Sequence, residues 1–218
     1  MKSIKKKLIK NNIPHKINDN ISQHLKQTDL SIMEKKCTKL FKSVFKTLLI
    51  DLRDKNVKDT PKRMAKLYIN ELLRGRFYNL TNIKSFPLYK QNYNLNNNIF
   101  YVNCNVNSLC CHHFLPIKSS VKIGIIFNTN NVLGLSKYYR ICNWCFSRAI
   151  IQEDVILLLR NKLVEYTKTE NIAIFIDSTH DCCSIRGINQ KTYSASNLLF
   201  SGIFENNEHF QNLFLNKF

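Results

Sequence analysis

The sequence predicts an α+β domain with a mostly antiparallel sheet. Three observations carry this. Apolar residues recur at three- and four-residue steps within residues 31–75. Residues 120–127 alternate, which sets Val121, Ile123, Ile125 and Phe127 on one face. The order along the chain is helices, strands, helices, strand, rather than the regular strand–helix alternation that builds a parallel sheet. At 218 residues there is room for one domain and an extension, at ~150 residues per domain, and for a real core.

Taken in order, residues 1–30 are basic and polar with no clear period, which reads as a poorly structured N-terminal arm. From Ser31, the residues Met33, Cys37, Leu40, Phe41, Val44, Phe45 and Leu48 form a helical stripe that ends near residues 51–56. A second helix opens at Asp59-Thr60-Pro61. Thr60 suits the N-cap, and Pro61 suits the first helical position, where its missing N–H costs nothing. It runs through Met64, Ala65, Leu67, Tyr68 and Leu72 to a stop at Gly75. Residues 31–75 are thus a helical lead-in to residues 76–218, which carry the sheet. Residues 76–98 are loop-like. Strand patterns follow at Ile99–Val106 and Ser120–Phe127, with a turn at Asn128–Asn131. A helix begins near Ser136, another runs from Glu153 to about Tyr166, a short strand covers Ile172–Ile176, and a last helix covers residues 206–215.

The 33 basic and 15 acidic residues leave a net charge of +18. Such an excess suits an anionic partner: a nucleotide, a nucleic acid or an anionic membrane. A bias toward Lys, Asn and Ile, residues of A- and T-rich codons, accounts for it equally well. No stretch of about 18 apolar residues is present, so no transmembrane helix is expected. The basic start, Met1 to Lys7, is not followed by an apolar run of signal-peptide length, and a cytoplasmic chain is expected. Eight cysteines are too sparse for a disulfide scaffold, which leaves buried thiols, metal ligands or nucleophiles.

The chemistry concentrates in two clusters about seventy residues apart, Cys110-Cys111-His112-His113 and His180-Asp181-Cys182-Cys183. Thiolate and imidazole are the donors zinc prefers. Each cluster borders a strand-like segment, and neighbouring residues on a strand point to opposite faces. One Cys from each pair and one His therefore make a Cys₂His set. Three protein ligands leave a fourth position for water, as in catalytic zinc sites, and the remaining histidines are placed to move protons. Cys142-x-x-Cys145 lies in a predicted helix beside Ile141, Trp144 and Phe146, and reads as core packing. Cys37 and Cys104 read as small hydrophobes.

A phosphate site is also indicated. Leu133-Gly134-Leu135-Ser136-Lys137 opens a helix whose free N–H groups favour an anion, Arg140 follows one turn on, and Arg186-Gly187 follows the second cluster. There is no Gly-x-x-x-x-Gly-Lys loop, so side chains would have to hold the phosphates.

Together these segments resemble the GTP cyclohydrolase I family over roughly residues 31–218. Thr60-Pro61-x-Arg63-x-Ala65-Lys66, Cys110-x-His112-His113, Gly134-Leu135-Ser136-Lys137-x-x-Arg140, Gln152-Glu153 and His180-x-Cys182-x-x-x-Arg186-Gly187 occur in the family's order. The resemblance implies the tunnelling fold, in which small antiparallel sheets with helices assemble into a barrel ring, and two pentameric rings that stack into a homodecamer with sites between subunits. It implies zinc held by Cys110, His113 and Cys182. It implies conversion of GTP and water to 7,8-dihydroneopterin triphosphate and formate, by attack of zinc-activated water at C8 of the guanine. His112 would be acid/base at the ring nitrogen, His180 would act near the ribose, and Ser136 would assist the later rearrangement. Gln152 and Glu153 would read the guanine edge, and Lys137, Arg140 and Arg186 would hold the triphosphate. The chain departs from the family at Cys111, where the family has Glu, and at Asp154, where it usually has Arg.

Two other functions fit parts of the sequence. A protein of the same fold that binds a pterin or purine without this reaction would not need all of Cys110, His113, Cys182, His112 and His180. A basic, zinc-stabilised nucleic-acid-binding protein would show basic residues interleaved with aromatics on one surface. Here the lysines spread over the whole chain, so nucleic acid is not the expected partner.

Overall fold

The computed structural model describes residues 2–87, 98–128, 131–185 and 194–217. The chain divides into two compact units, residues 1–79 and 80–218.

The first unit is helical. It contains α1 (Lys2–Lys10), a 3₁₀ turn at Ser22–His24, α2 (Gln27–Thr47), α3 (Thr60–Leu67), a π-helical turn at Tyr68–Leu72 and α4 (Arg74–Phe77). The expectation of a loose arm over residues 1–30 is corrected here. Ile4, Leu8, Ile21 and Leu30 are buried in one cluster with Ile69 and Phe77. The intervening loop is held by two side chains. The Arg76 guanidinium donates to the carbonyls of His15, Lys16, Ile17 and Asp19. Asn20 Nδ2 donates to the carbonyls of Gly75 and Tyr78 at 2.7 and 2.9 Å. The apolar residues come from separate short elements and so share no period, which is why the sequence pattern hides them.

Three boundaries also shift. Helix α2 starts before Ser31, with the Asp29 carboxylate accepting the Lys26 N–H at 2.9 Å. Asp59 rather than Thr60 is the N-cap residue of α3, and Pro61 keeps its place in the first turn. Gly75 is not a helix stop but lies buried inside α4. The apolar stripe of α2 divides: Met33 and Cys37 pack on the cluster, Phe41 stacks on Tyr68 with ring centroids 5.7 Å apart, and Leu40, Val44 and Leu48 are exposed.

The second unit holds β1 (Ser85–Pro87), β2 (Phe100–Leu109), β3 (Pro116–Ile125), β4 (Asn131–Leu133), α5 (Leu135–Phe146), α6 (Gln152–Thr167), β5 (Ile172–His180), α7 (Asp181–Ser184), β6 (Ser194–Ser201), a 3₁₀ turn at Gly202–Phe204 and α8 (Glu208–Leu215). Four strands form an antiparallel sheet in the order β2-β3-β5-β6, and β1 pairs with β4 in a second, two-stranded sheet. The α+β class and the antiparallel sheet agree with the sequence pattern. Among the described residues the larger sheet is open, with β2 and β6 at its edges, so no closed barrel is formed within one chain.

Helices α5 and α6 cover one face of the sheet. Val121, Ile123, Ile125 and Phe127 are buried there as the alternation predicts, with Val102, Val106, Ile174, Ile176, Ile141, Leu159 and Leu163. Cys104, Cys142 and Cys145 lie in the same core, so the Cys-x-x-Cys pair is packing. Burial pushes the Cys145 thiol up to about 12, the behaviour of an inert buried thiol. Strand β6 escapes the sequence pattern because Ser194-Ala-Ser-Asn is small and polar and shows no apolar alternation. No helix among the described residues is long and apolar enough to cross a membrane.

On the opposite face, Asn103, Asn105 and Asn107 of β2 are exposed, and α8 covers one end through Phe210 and Phe214. Gly124 in β3 permits that contact. A Cβ there would sit 2.7 Å from the Phe214 ring and 3.2 Å from Ile99. Gly124→Ala is therefore expected to destabilise the fold by about 1–3 kcal/mol, the usual cost of an overpacked core position. Denaturant unfolding should show a lower midpoint with an unchanged slope, and an unchanged midpoint would show that α8 moves aside freely.

Candidate active site

The strand register assembles the site. Leu109 pairs with Pro116, which leaves residues 110–115 as the β2–β3 turn, and Ile117 pairs with His180. The first cluster, at the end of β2, and the second, at the end of β5, therefore share one end of the sheet. The turn is closed by two backbone hydrogen bonds: Cys110 N–H donates to the Leu115 carbonyl at 2.9 Å, and Phe114 N–H donates to the Cys110 carbonyl at 2.8 Å. Phe114 has φ +54°, left-handed backbone that costs a side-chain-bearing residue roughly 1–2 kcal/mol. This curl brings His113 Nδ1 to 3.8 Å and His112 Nδ1 to 4.0 Å from Cys110 Sγ.

Past β5 the chain makes the single helical turn α7, which buries Cys182. One donor atom from each of Cys110, His113 and Cys182 lies within 4.8 Å of the others. Ligands around a tetrahedral zinc, with Zn–S about 2.3 Å and Zn–N about 2.0 Å, stand ~3.5–3.8 Å apart, so small side-chain rotations suffice. The two cysteines are buried and His113 is exposed. One Cys from each pair is used, as expected, but the reason differs. Cys110-Cys111 enters a turn and Cys182-Cys183 sits on a helical turn, so strand alternation is not what separates them. Cys111 and Cys183 are half-buried at the same site, with Cys183 Sγ 4.0 Å from Cys182 Sγ.

The electrostatics also suit a cation. Burial, and then the adjacent Cys110 thiol, pushes the Cys182 thiol up to about 12. Two thiols side by side resist ionising until a positive charge joins them, and a coordinated metal ion supplies that charge. The donor set is compatible with zinc.

The rest of the pocket comes from the first turn of α6 and from β6. Cys110, Cys111, His112, His113, Gln152, Glu153, His180, Cys182, Cys183 and Asn197 line an open cavity of ≈ 340 Å³. Gln152 is buried, and Glu153 is exposed at its lip. His180 Nε2 lies 3.1 Å from Gln152 Oε1, and Gln152 Nε2 donates to the Ala195 carbonyl at 2.8 Å. Burial holds His180 below the ordinary histidine range, against an opposing pull from the Glu153 carboxylate. The two departures noted in the sequence meet here. Burial, Cys110 and then the charge of Asp154 raise the Cys111 thiol.

The structure thus brings together Cys110, His112, His113, Gln152, Glu153, His180 and Cys182. It places Ser136, Lys137 and Arg140 elsewhere. They occupy the first half of α5, where the next residue, Tyr138, meets Phe100 at the start of β2 with ring centroids 5.5 Å apart. The far end of α5 is tied to the pocket end of β2 by the Leu109–Ala149 bridge and by Ser108 Oγ donating to the Arg148 carbonyl at 2.9 Å. The twelve residues of α5 span about 18 Å, so the helix start lies about a helix length from the pocket. Arg186 lies outside the described residues. Sequence reasoning missed Ala195 and Asn197 as pocket residues. Their strand carried no apolar signal.

The model of the GTP cyclohydrolase I family matches residues 37–218. The chain belongs to the GTP cyclohydrolase I family. That membership makes it a GTP cyclohydrolase I enzyme. It is 30% identical over 216 residues to GTP cyclohydrolase 1 of Blochmanniella pennsylvanica (strain BPEN), covering 99% of this chain and 89% of that protein. It is 29% identical over 172 residues to GTP cyclohydrolase 1 of Yersinia enterocolitica, covering 79% of this chain and 77% of that protein. The corresponding protein of Enterobacter sp. (strain 638) is 27% identical over 172 residues.

The pocket holds a histidine whose charge can be followed. Burial lowers the His180 pKa, and Glu153 opposes that shift. In metal-free protein, His180 should titrate below a free histidine, ~6.5. Glu153→Gln should move the midpoint lower still, because it removes the charge that favours the imidazolium. An upward shift in Glu153→Gln, read by NMR, would show that the Glu153 charge does not favour the imidazolium.

Proposed function

We propose that this chain is a zinc-dependent GTP cyclohydrolase I that converts GTP and water to 7,8-dihydroneopterin triphosphate and formate, the first step of pterin- and folate-type biosynthesis, in the cytoplasm. The observation that carries this reading is the convergence of the Cys110, His113 and Cys182 donors with His112, His180 and Glu153 in one pocket.

Cys110, His113 and Cys182 would hold zinc. A bound zinc ion supplies Lewis-acid activation of water at neutral pH. His112, whose Nδ1 lies within 4.0 Å of the Cys110 sulfur, stands where it can exchange a proton with the guanine imidazole ring. His180, held below the ordinary histidine range, is a neutral base at neutral pH and serves the ribose side of the reaction. Glu153 at the lip accepts the N1–H and exocyclic amine of guanine. Adenine would leave that acceptor unpaired, which selects against it. Ser136 serves the later rearrangement, and Lys137, Arg140 and Arg186 bind the triphosphate.

The fold supports an assembly in which these residues act across subunits. Ser136, Lys137 and Arg140 do not line the pocket of their own chain, so a second copy would bring them to it. The open edges of the sheet and the exposed Leu40, Val44 and Leu48 of α2 offer surfaces for such contacts. A homodecamer of two barrel rings fits this need.

Zinc-loaded protein incubated with GTP should release formate and yield a product that fluoresces as a pterin after oxidation. Absence of both products from metal-replete protein would overturn the reading. About one zinc per subunit is expected, lost in Cys110→Ser, His113→Ala and Cys182→Ser and retained in the core variant Cys142→Ser. Full metal content in the first three would place the centre elsewhere. His112→Ala and His180→Ala should keep zinc and lose turnover by about 10²-fold or more.

Co-expression tests the shared site. Cys110→Ser and Arg140→Ala subunits, each inactive alone, should form mixed oligomers with measurable turnover. In those oligomers, an intact pocket can face an intact α5. Mixed oligomers as inactive as either parent would show that one subunit supplies the whole site.

A further inference from the structure

The resemblance assigns Gln152 to the guanine edge beside Glu153, but the geometry points to a different duty. We propose that Gln152 is a positioning residue that fixes the tautomer and orientation of the His180 ring. This deepens the functional reading above and rests on it for the part His180 plays in turnover.

The argument is one of hydrogen-bond accounting. Gln152 is 8% exposed, so its amide is removed from water and needs partners within the fold. The Ala195 carbonyl can accept but not donate. The atom 2.8 Å from it must therefore be the amide nitrogen, which removes the usual ambiguity between the two ends of a glutamine amide. The opposite end is then the carbonyl oxygen, an acceptor, 3.1 Å from His180 Nε2. A carbonyl opposite a ring nitrogen requires that nitrogen to carry the proton. His180 in its neutral form is thus the Nε2–H tautomer, with Nδ1 as the ring's acceptor nitrogen.

The supports of this bridge are rigid. Gln152 opens α6, a sixteen-residue helix, directly after its N-cap residue Ile151. Ala195 lies in β6 opposite Ser178 of β5, two residues before His180 on the same strand. The chain Ala195–Gln152–His180 therefore ties the ends of β5 and β6 to the start of α6, at the point where the second cluster leaves the sheet. Glu153, the next residue, is exposed at the pocket lip. Adjacent residues on the first turn of one helix thus differ in setting: Gln152 is buried and bonded to the histidine, and Glu153 is exposed.

The test reads the ring directly. Zinc-loaded full-length protein with ¹⁵N-labelled histidine is examined by solid-state NMR, and the His180 signals are assigned by their loss in His180→Gln. The wild type should show His180 protonated at Nε2. Gln152→Met, which keeps the side-chain length and removes both hydrogen-bonding groups, should lose that single-tautomer signature. It should also lower kcat by ~10-fold or more with KM for GTP within about threefold, since a misplaced or wrongly protonated base spoils turnover more than binding. Zinc content and thermal melting of the variant establish that it is folded. Protonation at Nδ1 in the wild type would overturn the proposal without any variant. So would an unchanged Nε2–H signal in Gln152→Met, or a rise in KM with kcat preserved, the mark of a residue that reads substrate. An Nε2–H wild type that loses this signature in Gln152→Met but shows no turnover on GTP would support the positioning role and reject the assigned reaction, so the two failures are separable.

Discussion

The register of β2, β3 and β5 is the constraint on which the site depends. Leu109 opposite Pro116 and Ile117 opposite His180 bring two clusters, far apart in sequence, to one end of one sheet. The same register turns Val121, Ile123 and Ile125 toward α5 and α6. A slip of one residue would send those side chains to the polar face and carry His180 away from the β2–β3 turn. Burial of the core and assembly of the candidate metal donors are therefore one event. The apolar contacts that enforce the register also position the cysteines at its end.

Around that end, each group has a distinct electrostatic setting. Burial, and then the neighbouring Cys110, raises the Cys182 thiol, which a cation would oppose. Burial holds His180 below the ordinary histidine range, while Glu153 remains at the solvent side. The basic residues of the α5 start stand about a helix length away from this pocket within one chain. If those basic residues bind the triphosphate as proposed, a second copy would have to bring them to the pocket. That need is the physical argument for an assembly, more than the net charge of the whole sequence.

The first unit follows a different logic. Its core is small and drawn from several short elements, and polar side chains do much of the joining. Arg76 gathers four carbonyls of the loop after α1, and Asn20 holds two carbonyls at the end of the unit. Backbone carbonyls that would otherwise need water are satisfied by a guanidinium with a fixed fork of donors. The length of α2 exceeds what this cluster covers, which leaves Leu40, Val44 and Leu48 exposed.

The sequence by itself determined the α+β class, the helices α2, α3, α5, α6 and α8, the central strands, and the donor residues of the candidate metal centre. Apolar periodicity and donor chemistry are properties of local sequence, so they are legible there. Tertiary structure decided the rest. It ordered residues 2–30 through contacts with Ile69, Phe77 and Arg76, which no local period announces. It made a strand of Ser194–Ser201, whose small polar residues pair because β5 offers an edge. It set Gln152 against His180 and placed Ser136, Lys137 and Arg140 apart from the pocket they were expected to share. Those outcomes depend on which strand ends meet and how far a helix reaches, distances that exist only once the chain has folded.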